Sequence, residues 1–346
     1  MGVGLGLITG SGLRWLAPQV RRQPLPLPGW LAQDAAAPNR SSELSASPSA
    51  PQLNAISGSF HPKAEIKALS ARWRDLAATQ KDLRVSAYLL MLDDGQYAQL
   101  NANRPMPAAS SIKTPILMAA LERIDTGERA WNEPLELTAE LVAGEAGWMA
   151  SRPVGTRFPT FQVATEMIRI SDNSATNLLI EQAGGRQAVN ARFRSLGLQA
   201  TVINNWLPDL EGTNTTSAHD LSRSIALVDS SDLLSRRSRD LFRQVMATSV
   251  TNTLLPTGLM QGLGGMQGEP DSSLARRGYR VLNKTGDIGI AYADAGLIEL
   301  PDGRRAVAAF LVKGPFNDPR STNLIRAMAR AMAPHLQPIS TPSSSR

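Results

Sequence analysis

Ser110-Ser-Ile-Lys-Thr-Pro-Ile-Leu-Met-Ala-Ala-Leu121 sets a serine and a lysine three residues apart at the start of an apolar, helix-like run. That spacing puts both side chains on one helical face, within reach of each other. A serine hydroxyl is a poor nucleophile until a neighbouring base takes its proton. A lysine whose pKa is lowered by burial and nearby cations is such a base. The helix start also offers backbone N–H groups to a developing oxyanion. Pro115 removes one helical N–H, so local irregularity is expected beside Ser110. Taken alone, the string reads more readily as a helix cap beside a surface lysine.

Two further strings follow in order. Ser171-Asp-Asn173 separates Thr165-Glu-Met-Ile-Arg-Ile170 from Ala175-Thr-Asn-Leu-Leu-Ile180. Judged singly it is a polar helix junction, since all three are capping residues. As part of a site it supplies a hydroxyl for proton shuttling and an amide to orient a substrate. Lys284-Thr-Gly286 is expected to open a strand. There Lys284 offers a cation to a substrate carboxylate, Thr285 a hydroxyl, and Gly286 a close backbone approach. It is no phosphate loop, because Asn283 stands where a glycine is required. The run from Gly258 to Gly268 also lacks a dinucleotide-loop spacing and reads as a flexible loop. Each string is weak; a helix start, a helix junction and a strand edge in that order carry the inference.

Around these strings the chain divides cleanly. Residues 2–13 are apolar and glycine-rich and end at Arg14. A secretory leader carries positive charge before its apolar core, and this run does not. It is also short for a bilayer span. An export signal, a membrane anchor and a mis-assigned start all remain open readings of it. Residues 18 to about 60 are rich in Pro, Ser and Ala and read with the leader as a disordered 1–60 segment. The folded body is expected at 61–335 and a frayed tail at 336–346. Within the body, Ala64–Lys81 has helical spacing, Arg84–Leu92 and Gln96–Leu100 read as adjacent strands, and Ala291–Leu300 pairs with Ala306–Val312. Residues 322–332 form a terminal helix, and 111–245 read mainly as helices. The expectation is an α/β (α+β) fold with an antiparallel-sheet lobe from about 61–105 and 246–335. An all-helical lobe spans about 106–245, with a ligand cleft between the two.

Composition narrows the partners. Among 346 residues there is no cysteine and only His61, His219 and His335, so neither a thiolate metal site nor a Ser-His-Asp triad has much to work with. No metal or cofactor is expected. The net charge of +6 favours anionic surroundings. The arginines, however, are scattered in pairs without interleaved aromatics, which argues against a nucleic-acid groove.

In these motifs the chain resembles the class A β-lactamase and penicillin-binding family of serine hydrolases over nearly all of 61–335. Met167-Ile-Arg-Ile-Ser-Asp-Asn-Ser-Ala-Thr-Asn-Leu-Leu179 is similar to that family's central helix junction, and Asn283-Lys-Thr-Gly-Asp287 to its sheet-edge motif. The resemblance implies Ser110 as acylated nucleophile, Lys113 as base and Ser171 as proton shuttle. It implies Asn173 orienting the substrate amide, with Lys284, Thr285 and Gly286 at the substrate carboxylate. The oxyanion hole would combine the N–H of Ser110 with that of Ile288.

Asn205-Trp-Leu-Pro-Asp-Leu-Glu-Gly-Thr-Asn-Thr-Thr216 departs from the pattern. It resembles the family's omega loop, Arg-Trp-Glu-Pro-x-Leu-Asn, with Trp206, Pro208 and Leu210 setting the register. The general-base glutamate is then Leu207, which cannot accept a proton or position water. Only a slip of register would bring Asp209 or Glu211 into that place. The arginine usual after the Lys-Thr-Gly strand is also not found in 291–296. The resemblance is closest to class A-like penicillin-binding DD-peptidases (PBP-A type). It implies acylation by peptidoglycan stem peptides ending in D-Ala-D-Ala and by β-lactams, in the periplasm or cell envelope. A working β-lactamase is the alternative, and a non-catalytic wall-binding or sensing module the third.

Overall fold

The computed structural model describes residues 60–338 apart from 231–232 and 267–271. The leader and all of the linker before Phe60 lie outside the described residues. Helices are α1 Lys67–Ala78, α2 Lys113–Asp125, α3 Thr160–Arg169, α4 Asn173–Gln182 and α5 Gly185–Ser195. They continue with α6 Ala218–Ser230, α7 Arg236–Met246, α8 Leu255–Gly262, α9 Ser272–Arg276 and α10 Pro319–Met332. Strands are β1 Ala64–Glu65, β2 Arg84–Met91, β3 Gln96–Leu100, β4 Met106–Pro107 and β5 Pro134–Glu136. After these come β6 Arg157–Pro159, β7 Thr215–Thr216, β8 Arg280–Asp287, β9 Ala291–Glu299 and β10 Arg305–Lys313.

The main sheet runs β1-β3-β2-β10-β9-β8, antiparallel but for the short β1–β3 pair. β2 and β10 are central and buried on both faces, which is why they read as continuous apolar runs rather than alternating ones. Alternation still divides their side chains. Val85, Ala87, Leu89 and Met91 join one core under α1, α8 and α10, with Trp73 Nε1 donating to Met328 O at 3.0 Å. Tyr88 and Leu90 face the other way, into a second core shared with α2–α7. The helical region therefore has no core of its own; it is built directly on one face of the sheet.

Two expectations need correction. The Gly258–Gly268 region begins as helix α8, not as loop. Its glycines at 258 and 262 share a face, and that face lies against α10. A Cβ at Gly258 would stand 2.5 Å from Arg326 O and 2.7 Å from Ala329 Cβ; one at Gly262 would stand 2.5 Å from Arg330 O. Glycine here permits close helix approach, at an intrinsic cost of about 1 kcal/mol each against alanine. The tail also starts later than 336, because Leu336 is buried and its carbonyl accepts from the Tyr279 hydroxyl at 3.0 Å.

The α8–α10 contact makes a direct prediction. Gly258→Val should force the two helices apart and cost roughly 1–3 kcal/mol, read as a lowered midpoint in thermal unfolding. An unchanged midpoint would mean that α8 does not seat on α10.

Candidate active site

Ser110 sits where a short strand hands over to a helix. β4 pairs with β7, Ala108 N donates to Asn214 O at 2.8 Å, and the chain then turns through a 3-10 segment, Ala109–Ile112, into α2. Pro115 has no N–H to give Ser111 O, and the Lys113 N–H bonds both Ser110 O and Ser111 O instead. The irregularity expected beside Ser110 is this tightened turn. Ala109 takes φ +46°, a left-handed conformation that costs a residue with a Cβ about 1 kcal/mol or more.

Lys113 is fully buried. Its Nζ lies 2.6 Å from Ser171 O, 2.8 Å from Asn173 Oδ1, 2.9 Å from Ser171 Oγ and 3.1 Å from Ser110 Oγ. Burial, then the neighbouring Lys284 cation, hold its pKa well below the ordinary lysine value, with Asp172 opposing them. A neutral amine has two N–H donors and one lone pair. Ser171 O and Asn173 Oδ1 can only accept, so they take the two donors. The lone pair is left for a hydroxyl, and the Ser110 and Ser171 hydroxyls are the two in range. The arrangement can draw a proton from Ser110 and pass it to Ser171.

The helix junction is held by Asp172, the N-cap of α4. Its carboxylate accepts from Ala175 N at 2.9 Å, Trp148 N at 2.7 Å and Met149 N at 2.9 Å. Ser171 is thereby turned into a left-handed conformation, φ +63°, that aims both its oxygens at Lys113. Asn173 donates from Nδ2 to Gly144 O at 2.9 Å, leaving its second amide hydrogen for a ligand.

Lys284-Thr-Gly286 lies in the second half of β8, not at its opening as the sequence suggested, and β8 is an edge strand of the sheet. Gly286 is indispensable there. A Cβ on it would stand 2.8 Å from Ser110 N and 2.9 Å from Ser111 N, so only glycine lets the strand lie against the serine turn. Lys284 is buried, and burial lowers its pKa to about 8 against the support of Asp294.

The proposed Ile288 oxyanion donor is corrected by the ladder. Ile288 N already donates to Ala291 O at 3.1 Å. Hydrogen-bonded pairs alternate along an antiparallel ladder. The Asp287–Tyr292 pair is therefore non-hydrogen-bonded, and it is the Asp287 N–H that points off the free edge of the sheet.

Four contributors were not singled out from the sequence. Asp294, paired opposite Thr285 across the ladder, is wholly buried, and burial raises its pKa to about 6. It accepts from Asn283 Nδ2 at 2.8 Å and from Leu255 N, the first turn of α8, at 2.9 Å. Asn283 also donates to Thr251 O at 3.0 Å, and the Thr251 and Thr285 hydroxyls meet at 2.7 Å. An acid in the middle of the apolar run 291–298 was the available signal. Asn177 clasps the fourth segment: its Oδ1 accepts from Leu207 N at 3.0 Å and its Nδ2 donates to Leu207 O at 2.9 Å. Leu207, followed by a cis bond to Pro208, is 7 % exposed and packs into the core. Asp209 turns away into its own loop, accepting from Thr213 N and Asn214 N at 3.1 and 2.6 Å, while Glu211 is exposed.

The chain belongs to the β-lactamase enzyme family, whose model matches residues 65–336. PBP-A superposes with a TM-score of 0.72 at 38% identity, covering 80% of this chain and 98% of that one. A leucine-to-glutamate variant of PBP-A, solved as an acyl-enzyme complex with penicillin G, matches equally well, with a TM-score of 0.72, 38% identity and coverage of 79% and 98%. A β-lactamase of Streptomyces cellulosae is 25% identical over 77% of this chain and 85% of its own length. This protein is accordingly a serine enzyme of the β-lactamase family with the fold of class A β-lactamases and PBP-A.

Two outcomes are expected. The rate of Ser110 acylation by benzylpenicillin should fall as pH rises through about 8, as Lys284 loses the charge that holds a carboxylate. Lys284→Arg should lower the rate but remove that alkaline limb, because guanidinium stays charged; a limb that persists would belong to another group. Gly286→Ala should cut acylation by at least about a hundredfold by displacing the serine turn, measured by fluorescent-penicillin labelling.

Proposed function

We propose that this protein is a penicillin-binding serine DD-peptidase that forms an acyl-enzyme on Ser110. Lys113 Nζ takes the Ser110 proton as Oγ attacks the carbonyl carbon of the penultimate D-Ala. The oxyanion is held by the N–H groups of Ser110 and Asp287, and the substrate carboxylate by Lys284 and Thr285. The C–N bond then breaks, and Ser171 returns the proton from Lys113 to the departing D-Ala amine. Water or an amine next attacks the ester and frees Ser110. A β-lactam acylates the same atom, but its amine stays tethered by the ring.

The single observation that carries this reading is Leu207. Asn177 grips both its backbone polar atoms, so the residue in the slot of the deacylating base is an apolar one that cannot activate water. A β-lactam should therefore enter readily and leave slowly. The chemistry fits a donor found in the cell wall, hence a periplasmic or envelope location, with an N-terminal membrane anchor part of the same reading. The β-lactamase names of the Streptomyces relatives favour a second reading, hydrolysis of β-lactams as the main activity.

Intact mass after addition of benzylpenicillin separates the two. A mass increase of one penicillin persisting for hours supports the peptidase reading; rapid loss of the adduct with sustained nitrocefin turnover supports the second. Leu207→Glu should speed deacylation by about a hundredfold or more, the scale of a positioned general base. No acceleration would mean that the Leu207 side chain does not face the ester.

A further inference from the structure

Beyond the acylation site lies a pocket of about 500 Å³ lined by Arg84, Arg104, Pro105, Met106, Pro107 and Lys313. Its lining holds three cations and no acid. None of the three forms an ion pair or side-chain hydrogen bond with a described residue. Elsewhere this chain neutralises arginines that it brings close together: Arg243 and Arg305 share Asp229, Arg192 meets Glu122, and Arg320 meets Asp318. Three unpaired cations around one cavity repel one another, and an anion relieves that repulsion.

The pocket is joined to the site by the sheet itself. Ile288 bonds Ala291, Ala291 is the partner of Lys313, and Lys313 the partner of Arg84. By alternation these side chains share the face that carries Gly286 and the serine turn. Ala291, between Ile288 and Lys313 in that row, is buried and puts only a methyl group there. Pro107 belongs to both ends. It lines the pocket, and with Ile288 it flanks Gly212, whose Cβ would stand 2.9 Å from Pro107 Cβ and 3.0 Å from Ile288 Cδ1.

We propose that this pocket is an acyl-side subsite that binds a carboxylate borne by the donor peptide. The proposal rests on the DD-peptidase reading of Ser110. With the C-terminal carboxylate at Lys284 and Thr285 and the scissile carbonyl at the Asp287 N–H, the leaving residue lies back along β8. The acyl chain then continues past Asp287 toward Ile288. From β8 to β10 is two strand spacings, about 10 Å, and to β2 about 14 Å. Three extended residues cover about 10 Å. The carboxylate thus belongs about three residues before the scissile bond, where the Arg84 and Arg104 guanidinium groups can grip it in bidentate fashion.

The test uses two peptides ending in D-Ala-D-Ala that differ at one group, a free carboxylate or its primary amide three residues before the scissile bond. Both compete with fluorescent penicillin for Ser110 on the full chain. The acid should slow labelling at about tenfold lower concentration than the amide. That ratio should fall to within about twofold in Arg104→Gln/Lys313→Gln and be largely kept in Arg104→Lys. Equal protection by the two peptides, no protection by either, or a ratio that survives the double substitution overturns the subsite while leaving the Ser110 reading intact. Binding of polyglutamate that does not slow labelling, lost in the double variant, would put a wall polyanion in the pocket and equally overturn it. Absence of any penicillin label is a different result: it rejects the acyl-enzyme reading, and the subsite with it.

Discussion

The burial of one amine organises this molecule. Lys113 leaves water completely, and an isolated ammonium in such a place is prohibitively costly. It is tolerated because the amine is driven toward its neutral form and because oxygens of Ser110 and of the Ser171–Asn173 junction close around it. Those oxygens tie the serine turn to the junction of α3 and α4. Asp172 stiffens that junction, and the left-handed Ser171 is what lets one residue present both a carbonyl and a hydroxyl to the same nitrogen. Site geometry and packing are here one requirement, since the amine that reaches Ser110 Oγ is also the group that most needs satisfied partners.

A second buried charge does similar work across the sheet. Asp294 lies on the other face of the sheet, one ladder position from Lys284, and raises the affinity of Lys284 for a proton, although burial outweighs that support. Through Asn283 and Thr251 it also fixes the hydroxyl of Thr285, and through Leu255 it caps the start of α8. The absence of an arginine from 291–296 thus has a structural counterpart. The position opposite Thr285 is occupied by an acid that orders the edge strand from behind.

Much of this was legible in advance, for definable reasons. The strings at Ser110, Ser171 and Lys284 converge on Lys113 because short-range spacing and capping chemistry survive translation into geometry. The strands β2 and β10 were readable as largely apolar runs, and β3 and β9 as their partners across Asp-Gly turns. What failed depended on partners distant in the chain. Gly258 and Gly262 read as flexibility, yet their role is set by the α10 backbone more than sixty residues away. Ile288 was a plausible oxyanion donor until the ladder register committed its N–H to Ala291. Asn177 stood inside a quoted motif, but its grip on Leu207 joins segments that only the fold brings together.

β8 ends the main sheet, and an exposed terminal strand is a template on which another chain can add itself. Here the serine turn lies against part of that margin, so close that Gly286 has no room for a side chain. The unpaired part of that edge is thus the place where self-association would begin. An occupant that pairs with β8 shields the molecule from its own copies, so that for this protein the liganded state is also the colloidally safer one.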